Sequence, residues 1–159
     1  MISVKFITVG NLKESYLRDA SAEYEKRLGG FCRFEMIQLK EEKLSEKPSD
    51  AEIKAALDRE AANILSKISP RAYVVAMCVE GEQCSSEALA QKLEKISEGH
   101  GEICFVIGSS FGLSQTVKNA ANMRLSVSKL TFPHQLMRIL LLEAVYRAFN
   151  IQKGTRYHK

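Results

Sequence analysis

The chain has 159 residues, of which 45% are hydrophobic and 26% charged, with a formal net charge of +4 at pH 7. This balance is typical of a globular protein and excludes the low hydrophobicity of a disordered chain. No apolar run approaches the roughly 20 residues that cross a bilayer, and residues 1–9 lack the basic start and cleavage site of a secretion signal. We therefore expect one domain over residues 1–159, located in the cytoplasm.

Hydrophobic periodicity predicts strands that alternate with helices along the first half of the chain. The first strand is expected at about 2–9, followed by a helix over 13–28 that glycines end. A strand at about 34–39 precedes a helix that runs to residue 68. Ser49 and Glu52 have the spacing of a capping box, which places the start of that helix.

The second half continues the alternation. Nearly continuous apolar runs at Tyr73–Val79 and Ile103–Ile107 predict strands that are covered on both faces, as in a parallel sheet. The remaining elements are expected at 86–97, after Ser114, at 124–127 and from Pro133 to about Asn150. The sequence therefore predicts an α/β fold with a mainly parallel sheet flanked by helices.

The final helix is apolar over more of its circumference than one contact with a sheet requires. Its apolar residues are Leu136, Ile139, Leu140, Leu141, Leu142, Val145, Tyr146 and Phe149. Two explanations fit this pattern: deep burial of the helix within one chain, or a seam between the two copies of a homodimer.

The cysteines and histidines give no sign of a metal site. No C-x-x-C pair and no H-E-x-x-H motif occurs, and the three histidines are far apart in the sequence. Cysteines among apolar residues are typical of reduced core thiols. We therefore expect no bound metal and free thiols at Cys32, Cys78, Cys84 and Cys104.

Ligands of parallel α/β sheets bind outside the carboxyl ends of the strands, so the loops after Val79, Ile107 and Val127 are the candidate sites. Gly108 and Gly112 fit either a close approach of the backbone to a ligand or a simple turn. The glycine-rich signatures of dinucleotide and nucleoside triphosphate sites do not occur, and neither does the G-x-S-x-G of a nucleophile elbow.

Positive charge is concentrated at the C-terminal end. From residue 129 onward, six basic side chains accompany the single acid Glu143, which gives this segment a net charge of +5 within a chain of +4. Such a local excess favours a polyanion such as RNA or DNA. Basic residues at a helix end also simply complement the helix dipole, and the charge pattern alone does not separate the two roles.

Several motifs in order resemble the ribosomal RNA large-subunit methyltransferase H family. Near the N-terminus these are Val4-x-x-Ile7-x-Val9-Gly10 and Glu23-Tyr24-x-x-Arg27-Leu28. Further along are Phe105-Val106-Ile107-Gly108, the loop Leu125-Ser126-Val127-Ser128-Lys129-Leu130-Thr131-Phe132-Pro133-His134, Glu143-x-x-Tyr146-Arg147-Ala148 and the terminal Tyr157-His158-Lys159. The resemblance extends over nearly the whole chain.

That family belongs to the SPOUT class, so the resemblance implies a C-terminal trefoil knot, S-adenosylmethionine as methyl donor and a homodimer. It implies methylation of ring N3 of a pseudouridine in a stem-loop of large-subunit (23S) rRNA, within the assembled ribosome. Two other functions remain open: a ribosome-associated binding protein without turnover, and a SPOUT methyltransferase that acts on tRNA.

The resemblance also implies roles for particular residues of this sequence. The cofactor is expected to contact Met77, Gly108, Val127, Ser128, Lys129, Leu130, Thr131 and Phe132. The candidate catalytic residues are Arg147, Tyr157 and His158, in a site shared between the two copies of a dimer. The candidate RNA-binding residues are His134, Arg138, Lys153, Arg156 and Lys159.

Ordinary structural roles compete with some of these assignments. Arg147 lies four residues after Glu143, the spacing of an ion pair on one helix face. His134 stands at a helix start, where local capping is a common role, and residues 157–159 have the position of a frayed terminus. Ser109 stands where the family usually has a second glycine, which could narrow the cofactor pocket unless the side chain points away.

Overall fold

The computed structural model describes residues 1–159 and contains five strands and five helices in strict alternation. The strands are β1 (Ser3–Val9), β2 (Arg33–Leu39), β3 (Tyr73–Glu82), β4 (Glu102–Ile107) and β5 (Met123–Leu125). The helices are α1 (Ser15–Leu28), α2 (Asp50–Lys67), α3 (Ser86–Gly99), α4 (Gln115–Ala120) and α5 (His134–Lys153). The predicted α/β class is confirmed.

The five strands form one sheet in the order β2-β1-β4-β3-β5, and all neighbouring strands are parallel. From β1 the chain moves to β2, toward one end of the strand order. From β4 it moves to β5, toward the opposite end. The direction of the connections therefore reverses between β1 and β4, which opens a crevice at the carboxyl ends of these two strands.

Helices cover both faces of the sheet. One core packs α1, α3 and α5 against it, with Phe6 and Phe105 meeting Leu141 of α5. The other core packs α2 and α4 on the opposite face, through residues such as Ile64 and Val117. This two-sided burial explains the continuous apolar run of β4, in which five of the six residues are buried.

Strand β3 is covered on both faces only over its first part. Val74, Val75, Ala76 and Met77 are buried, whereas 58% of Val79 is exposed. The expectation of cover over the whole run to Val79 is therefore wrong at its end, because the strand emerges there at the edge of the sheet where the candidate loops meet.

The predicted helix boundaries have a local chemical cause. The Ser49 hydroxyl accepts a hydrogen bond from the Glu52 amide at 3.1 Å, and the Glu52 carboxylate accepts one from the Ser49 amide at 3.3 Å, so the capping box is confirmed. Ser114 likewise caps α4 through the Val117 amide at 3.2 Å. Helix α5 ends at Gly154, whose φ of +66° is the left-handed conformation that favours glycine.

Most of the apolar surface of α5 is buried within the single chain, because α1 and α3 flank this helix on the sheet. Deep burial within one chain, and not a seam between two copies, therefore explains apolar residues such as Leu142 and Val145. Only a narrow outer stripe is left partly exposed, formed by Leu136, Leu140 and Ala144. None of the five helices combines the length and apolar composition needed to cross a membrane.

Candidate functional site

A cavity of about 320 Å³ lies at the carboxyl ends of β3, β4 and β5. The loops that follow these three strands form its walls, as the rule for parallel sheets predicts. Eleven of the 21 lining residues are hydrophobic, a composition typical of sites for small organic ligands. The cavity is therefore the main candidate for the functional site.

Seven of the eight residues proposed for cofactor contact line this cavity. They are Met77, Gly108, Val127, Ser128, Leu130, Thr131 and Phe132. Lys129 is the exception, since it is exposed and absent from the lining. Sequence reasoning missed other lining residues, among them Leu113, Lys118 and Met137.

The loop after β4 depends on glycine at two positions. A Cβ atom on Gly108 would overlap the carbonyl group of Gly112, so no larger residue fits there without movement of the backbone. Gly112 has a φ of +85°, and its amide donates to the Ser109 carbonyl oxygen at 2.8 Å. The two glycines thus close a tight turn that forms one wall of the cavity.

The loop after β5 leaves backbone donors free at the cavity. The Ser126 hydroxyl donates to the Ser128 carbonyl oxygen at 2.9 Å, and the Leu130 amide donates to the Ser128 hydroxyl at 3.0 Å. The amides of Val127, Lys129, Thr131 and Phe132 donate no hydrogen bond within the chain. The loop is therefore shaped by its own serines while four amide donors stay available to a ligand.

Ser109 does not remove the cavity. It is only 5% exposed, and its hydroxyl lies beside the carboxylate of Glu60, a buried residue of α2. Burial raises the pKa of the Glu60 carboxyl, and the hydrogen bond from the Glu42 amide together with the nearby Ser109 hydroxyl offsets part of that rise. Ser109 therefore joins the β4–α4 loop to α2, an interaction that the sequence alone does not reveal.

The buried carboxyl of Glu60 makes stability depend on pH. Because its pKa is raised in the folded protein, the neutral form is favoured by folding, and this stabilisation is lost as pH rises through the raised pKa. We expect urea unfolding of wild type to lose stability relative to Glu60→Gln as pH rises from the ordinary carboxyl pKa of 4.5 toward neutral. The exposed Glu46→Gln is the control, and parallel pH profiles for wild type and Glu60→Gln would contradict the prediction.

One ion pair lies in the cavity wall. Lys118 of α4 donates to the Glu80 carboxylate at 2.5 Å, and this hydrogen bond lowers the pKa of the Glu80 carboxyl. The two residues are 38 positions apart, so their pairing follows from the packing of α4 beside β3 and not from a local motif. The only carboxylate in the lining is thus matched by a cation.

The three candidate catalytic residues are brought together by the folded C-terminal tail. The Tyr157 hydroxyl donates to Glu143 at 2.6 Å, and the Arg147 guanidinium donates to the same carboxylate at 2.7 Å. His158 lies with Nδ1 at 3.3 Å from Arg147 and Nε2 at 2.7 Å from Glu87 of α3. The ion pair expected from spacing is present, and the tail is docked instead of frayed.

The hydrogen-bonding pattern limits which of these groups can accept a proton. Burial and the hydrogen bond to Glu143 raise the pKa of the Tyr157 phenol, so it stays protonated at neutral pH and acts as a donor. Because Arg147 is a donor only, the Nδ1 atom of His158 faces it as an acceptor when the imidazole is neutral. His158 is therefore the better candidate for a base.

This tail cluster, formed by Glu87, Glu143, Arg147, Tyr157 and His158, does not share a residue with the cavity lining. His134 lines the cavity, and Arg147 lies 13 positions further along α5, a rise of about 20 Å. One chain therefore holds the cavity and the tail cluster at separate places.

The candidate RNA-binding residues occupy three different environments. Lys153, Arg156 and Lys159 are exposed at the end of α5 and in the tail. His134 is half-buried at the cavity, makes no capping hydrogen bond, and has its pKa lowered by burial. Arg138 is 1% exposed, so the expectation that it contacts RNA is wrong: its guanidinium is turned inward onto groups at the ends of β1 and β2.

No group of histidine, cysteine and acidic side chains in the chain is arranged to hold a metal ion. The four cysteines are free. Burial raises the pKa of Cys32 to about 11 and of Cys104 to about 12, which keeps both thiols protonated and unreactive.

Comparison with known proteins supports a methyltransferase fold. A solved structure described as a probable methylase family protein from Haemophilus influenzae Rd KW20 matches with a TM-score of 0.52 and 16% identity. The match covers 99% of this chain and 70% of that chain, and at this identity it shows the fold alone.

Curated relatives are much more similar in sequence. A protein of Streptococcus thermophilus (strain CNRZ 1066) named "Ribosomal RNA large subunit methyltransferase H" is 53% identical, with 99% of this chain and 100% of the relative covered. A protein of the same name from Streptococcus pneumoniae (strain CGSP14) is 48% identical with the same coverage. The family model described as "Predicted SPOUT methyltransferase" matches residues 2–158. The chain therefore belongs to the SPOUT methyltransferase family.

Proposed function

We propose that this protein transfers a methyl group from S-adenosylmethionine to ring N3 of a pseudouridine in large-subunit (23S) rRNA on the assembled ribosome. The observation that carries the proposal is the cavity at the ends of β3, β4 and β5, which seven of the eight expected cofactor contacts line. The names of the relatives, which are about half identical over their whole length, support rRNA as the substrate.

The cavity suits the proposed methyl donor. When bound, S-adenosylmethionine supplies an electrophilic methyl group on a sulfonium whose positive charge disappears during transfer. Apolar walls such as Met77, Leu130 and Phe132 favour that loss of charge, and the Glu80 carboxylate is already paired with Lys118. The free amides after β5 offer donors for the polar edge of the adenine ring.

The acceptor side of the reaction requires removal of the N3 proton. We assign acceptance of this proton to His158, while Arg147 and the Tyr157 hydroxyl stabilise the negative charge that develops on the pyrimidine ring. Glu87 and Glu143 hold these three groups in place. The exposed Lys153, Arg156 and Lys159 would attract the rRNA phosphates around them.

We propose that two copies complete each active site, because the tail cluster and the cavity of one chain are separated by much of α5. The partly exposed stripe of Leu136, Leu140 and Ala144 offers an apolar contact for a second copy. Three further expectations remain predictions, as the dimer does: the trefoil knot, the single domain over residues 1–159 and the cytoplasmic location.

The dimer has a direct test. We expect light scattering of the purified protein at micromolar concentration to give twice the 17.8 kDa mass of the chain. Replacing Leu140 by Glu on the apolar stripe should give monomers that still bind S-adenosylmethionine but do not methylate. A wild-type protein that is monomeric at this concentration and fully active would contradict the shared site.

The substrate has its own experiment. We expect incorporation of labelled methyl groups into intact ribosomes or large subunits, and little into free rRNA or tRNA. Preferential methylation of tRNA would instead favour the alternative SPOUT activity. A binding protein without turnover would incorporate no label, although the open cavity beside Ser109 argues against that function.

A further inference from the structure

A second, polar groove adjoins the cavity at the carboxyl ends of β1 and β2. Its lining contains no hydrophobic residue, and it includes Gly10, Lys13, Gln38, Lys40 and Glu41. Ser110 and His134 line both the polar groove and the cavity. The two sites therefore meet at the crevice between β1 and β4, where the sheet order reverses and ligands of this fold class bind.

A buried cation lies beneath the floor of the polar groove. Arg138 of α5 donates from Nη1 to Gln38 Oε1 and from Nη2 to the Gly10 carbonyl oxygen, each at 2.9 Å. Both acceptors are neutral, the Nε atom has no partner, and no carboxylate lies within 4.0 Å of the guanidinium. Its only opposing charge is the Glu25 carboxylate, which makes no salt bridge with it, so the buried guanidinium adds positive potential beneath the polar groove.

The rim of the polar groove adds further donors. Lys13 and Lys40 are exposed and their ammonium groups pair with no acid. Gln38 accepts from Arg138 through Oε1, and Gln135 accepts from the Lys13 amide through Oε1 at 2.9 Å, so the NH2 groups of both glutamines are free to donate. Glu41 is the single acid in the lining, and its carboxylate and the His134 imidazole both lie close to Gly10.

We infer that the polar groove binds a phosphate of the RNA strand and thereby orients the target nucleotide, whose base enters the adjoining cavity. Cations and N–H donors that line a groove above a buried guanidinium match the charge and the acceptor oxygens of a phosphodiester. Gln38, Lys13 and Lys40 are binding residues in this role, and Arg138 is a positioning residue that acts through Gly10 and Gln38. The inference rests on the proposed rRNA substrate and adds the place where the strand is held.

Two variants test the groove without altering the cavity. The double variant Lys13→Ala with Lys40→Ala removes the rim cations. Its matched control is Lys26→Ala with Lys67→Ala, two exposed lysines in the last turns of α1 and α2, near the amino ends of the strands. Gln38→Glu places a carboxylate against Arg138, which compensates the buried charge and should preserve or raise folding stability. A merely structural role for Gln38 predicts no loss of RNA binding in this variant.

Binding to large ribosomal subunits from cells that lack the gene is measured at several salt concentrations, together with KM, kcat and the Kd for S-adenosylmethionine. We expect both groove variants to bind the subunits about 10-fold or more weakly, and the lysine pair to lower the slope of log affinity against log salt by about 1 to 2. The KM for the subunits should rise, whereas the Kd for S-adenosylmethionine should stay unchanged.

The outcomes separate the groove from the proposed function. The inference would be overturned if the groove variants and the control pair had equal subunit affinity and equal salt slope. It would also be overturned if the groove variants lost S-adenosylmethionine binding by the same factor as subunit binding. Absence of methyl transfer by wild type would refute the proposed function instead. Because subunit binding is measured without turnover, the groove is still tested in that case.

Discussion

A protein that ends at Arg156 will bind S-adenosylmethionine with nearly unchanged affinity and will transfer no measurable methyl groups to ribosomes. The deletion removes Tyr157 and His158, which complete the tail cluster, while every residue that lines the cavity is retained. Loss of a general base and of charge stabilisation is expected to lower kcat by about 100-fold or more. Calorimetry with S-adenosylmethionine and single-turnover methylation of ribosomes measure the two effects separately.

Two substitutions refine the tail experiment. His158→Gln should abolish most turnover, although the glutamine NH2 group can still donate to Glu87. Lys159→Ala lies outside the tail cluster and should change mainly the salt dependence of ribosome binding. If the truncated protein methylates at the wild-type rate, residues 157–159 have no part in the reaction. A truncated protein that also loses S-adenosylmethionine binding would mean that the tail supports the cavity.

The second large effect is expected at the loop after β4. Replacing Gly108 by Ala puts a methyl group into the carbonyl group of Gly112, so the turn must open and the cavity wall must shift. Overpacking of this kind costs about 1 to 3 kcal/mol, which corresponds to about 5- to 150-fold weaker binding if the cost falls on the cofactor site. Calorimetry with S-adenosylmethionine measures the loss, and methyl transfer should fall in parallel at limiting cofactor.

Gly99→Ala is the matched control for that substitution. A methyl group on Gly99, at the end of α3, meets no atom within 4 Å, so the same chemical change should leave both cofactor affinity and stability nearly unaltered. Urea unfolding of both variants distinguishes a local change of the cavity from general unfolding. Wild-type cofactor affinity in Gly108→Ala would show that the glycine turn does not shape the binding site.

The fold was largely predictable because its signals are local. Periodic apolar residues, the capping box at Ser49 and the glycine at 154 each act within a few residues, and they locate the elements to within a few positions. The sheet order is different, because it depends on contacts between distant segments. Strand β3 also extends to Glu82, which pairs with Leu125 after an irregular register, and a local pattern carries no information about that pairing.

The candidate site was predictable where it follows from strand ends. The rule for parallel sheets and the family motifs both led to Gly108 and to the loop from Val127 to Phe132, and these residues line one cavity except for Lys129. The interactions that were missed join residues far apart in sequence. Lys118 with Glu80 and Ser109 with Glu60 are of this kind.

Arg138 was misassigned for a related reason. A basic residue near the start of a helix, within a basic segment, is typical of an exposed RNA contact. Here the neutral acceptors that allow its burial come from Gly10 and Gln38, 128 and 100 residues away. Only the folded chain reveals that this positive charge lies beneath a groove.

The central claim is that this chain methylates large-subunit rRNA with S-adenosylmethionine bound at the ends of β3, β4 and β5. Mass spectrometry of 23S rRNA from cells with and without the gene tests it most directly. We expect one methyl group on one pseudouridine of the wild-type rRNA, lost without the gene and restored by the intact gene but poorly by the Gly108→Ala variant. Ribosomal RNA with the same modifications in both strains would contradict it.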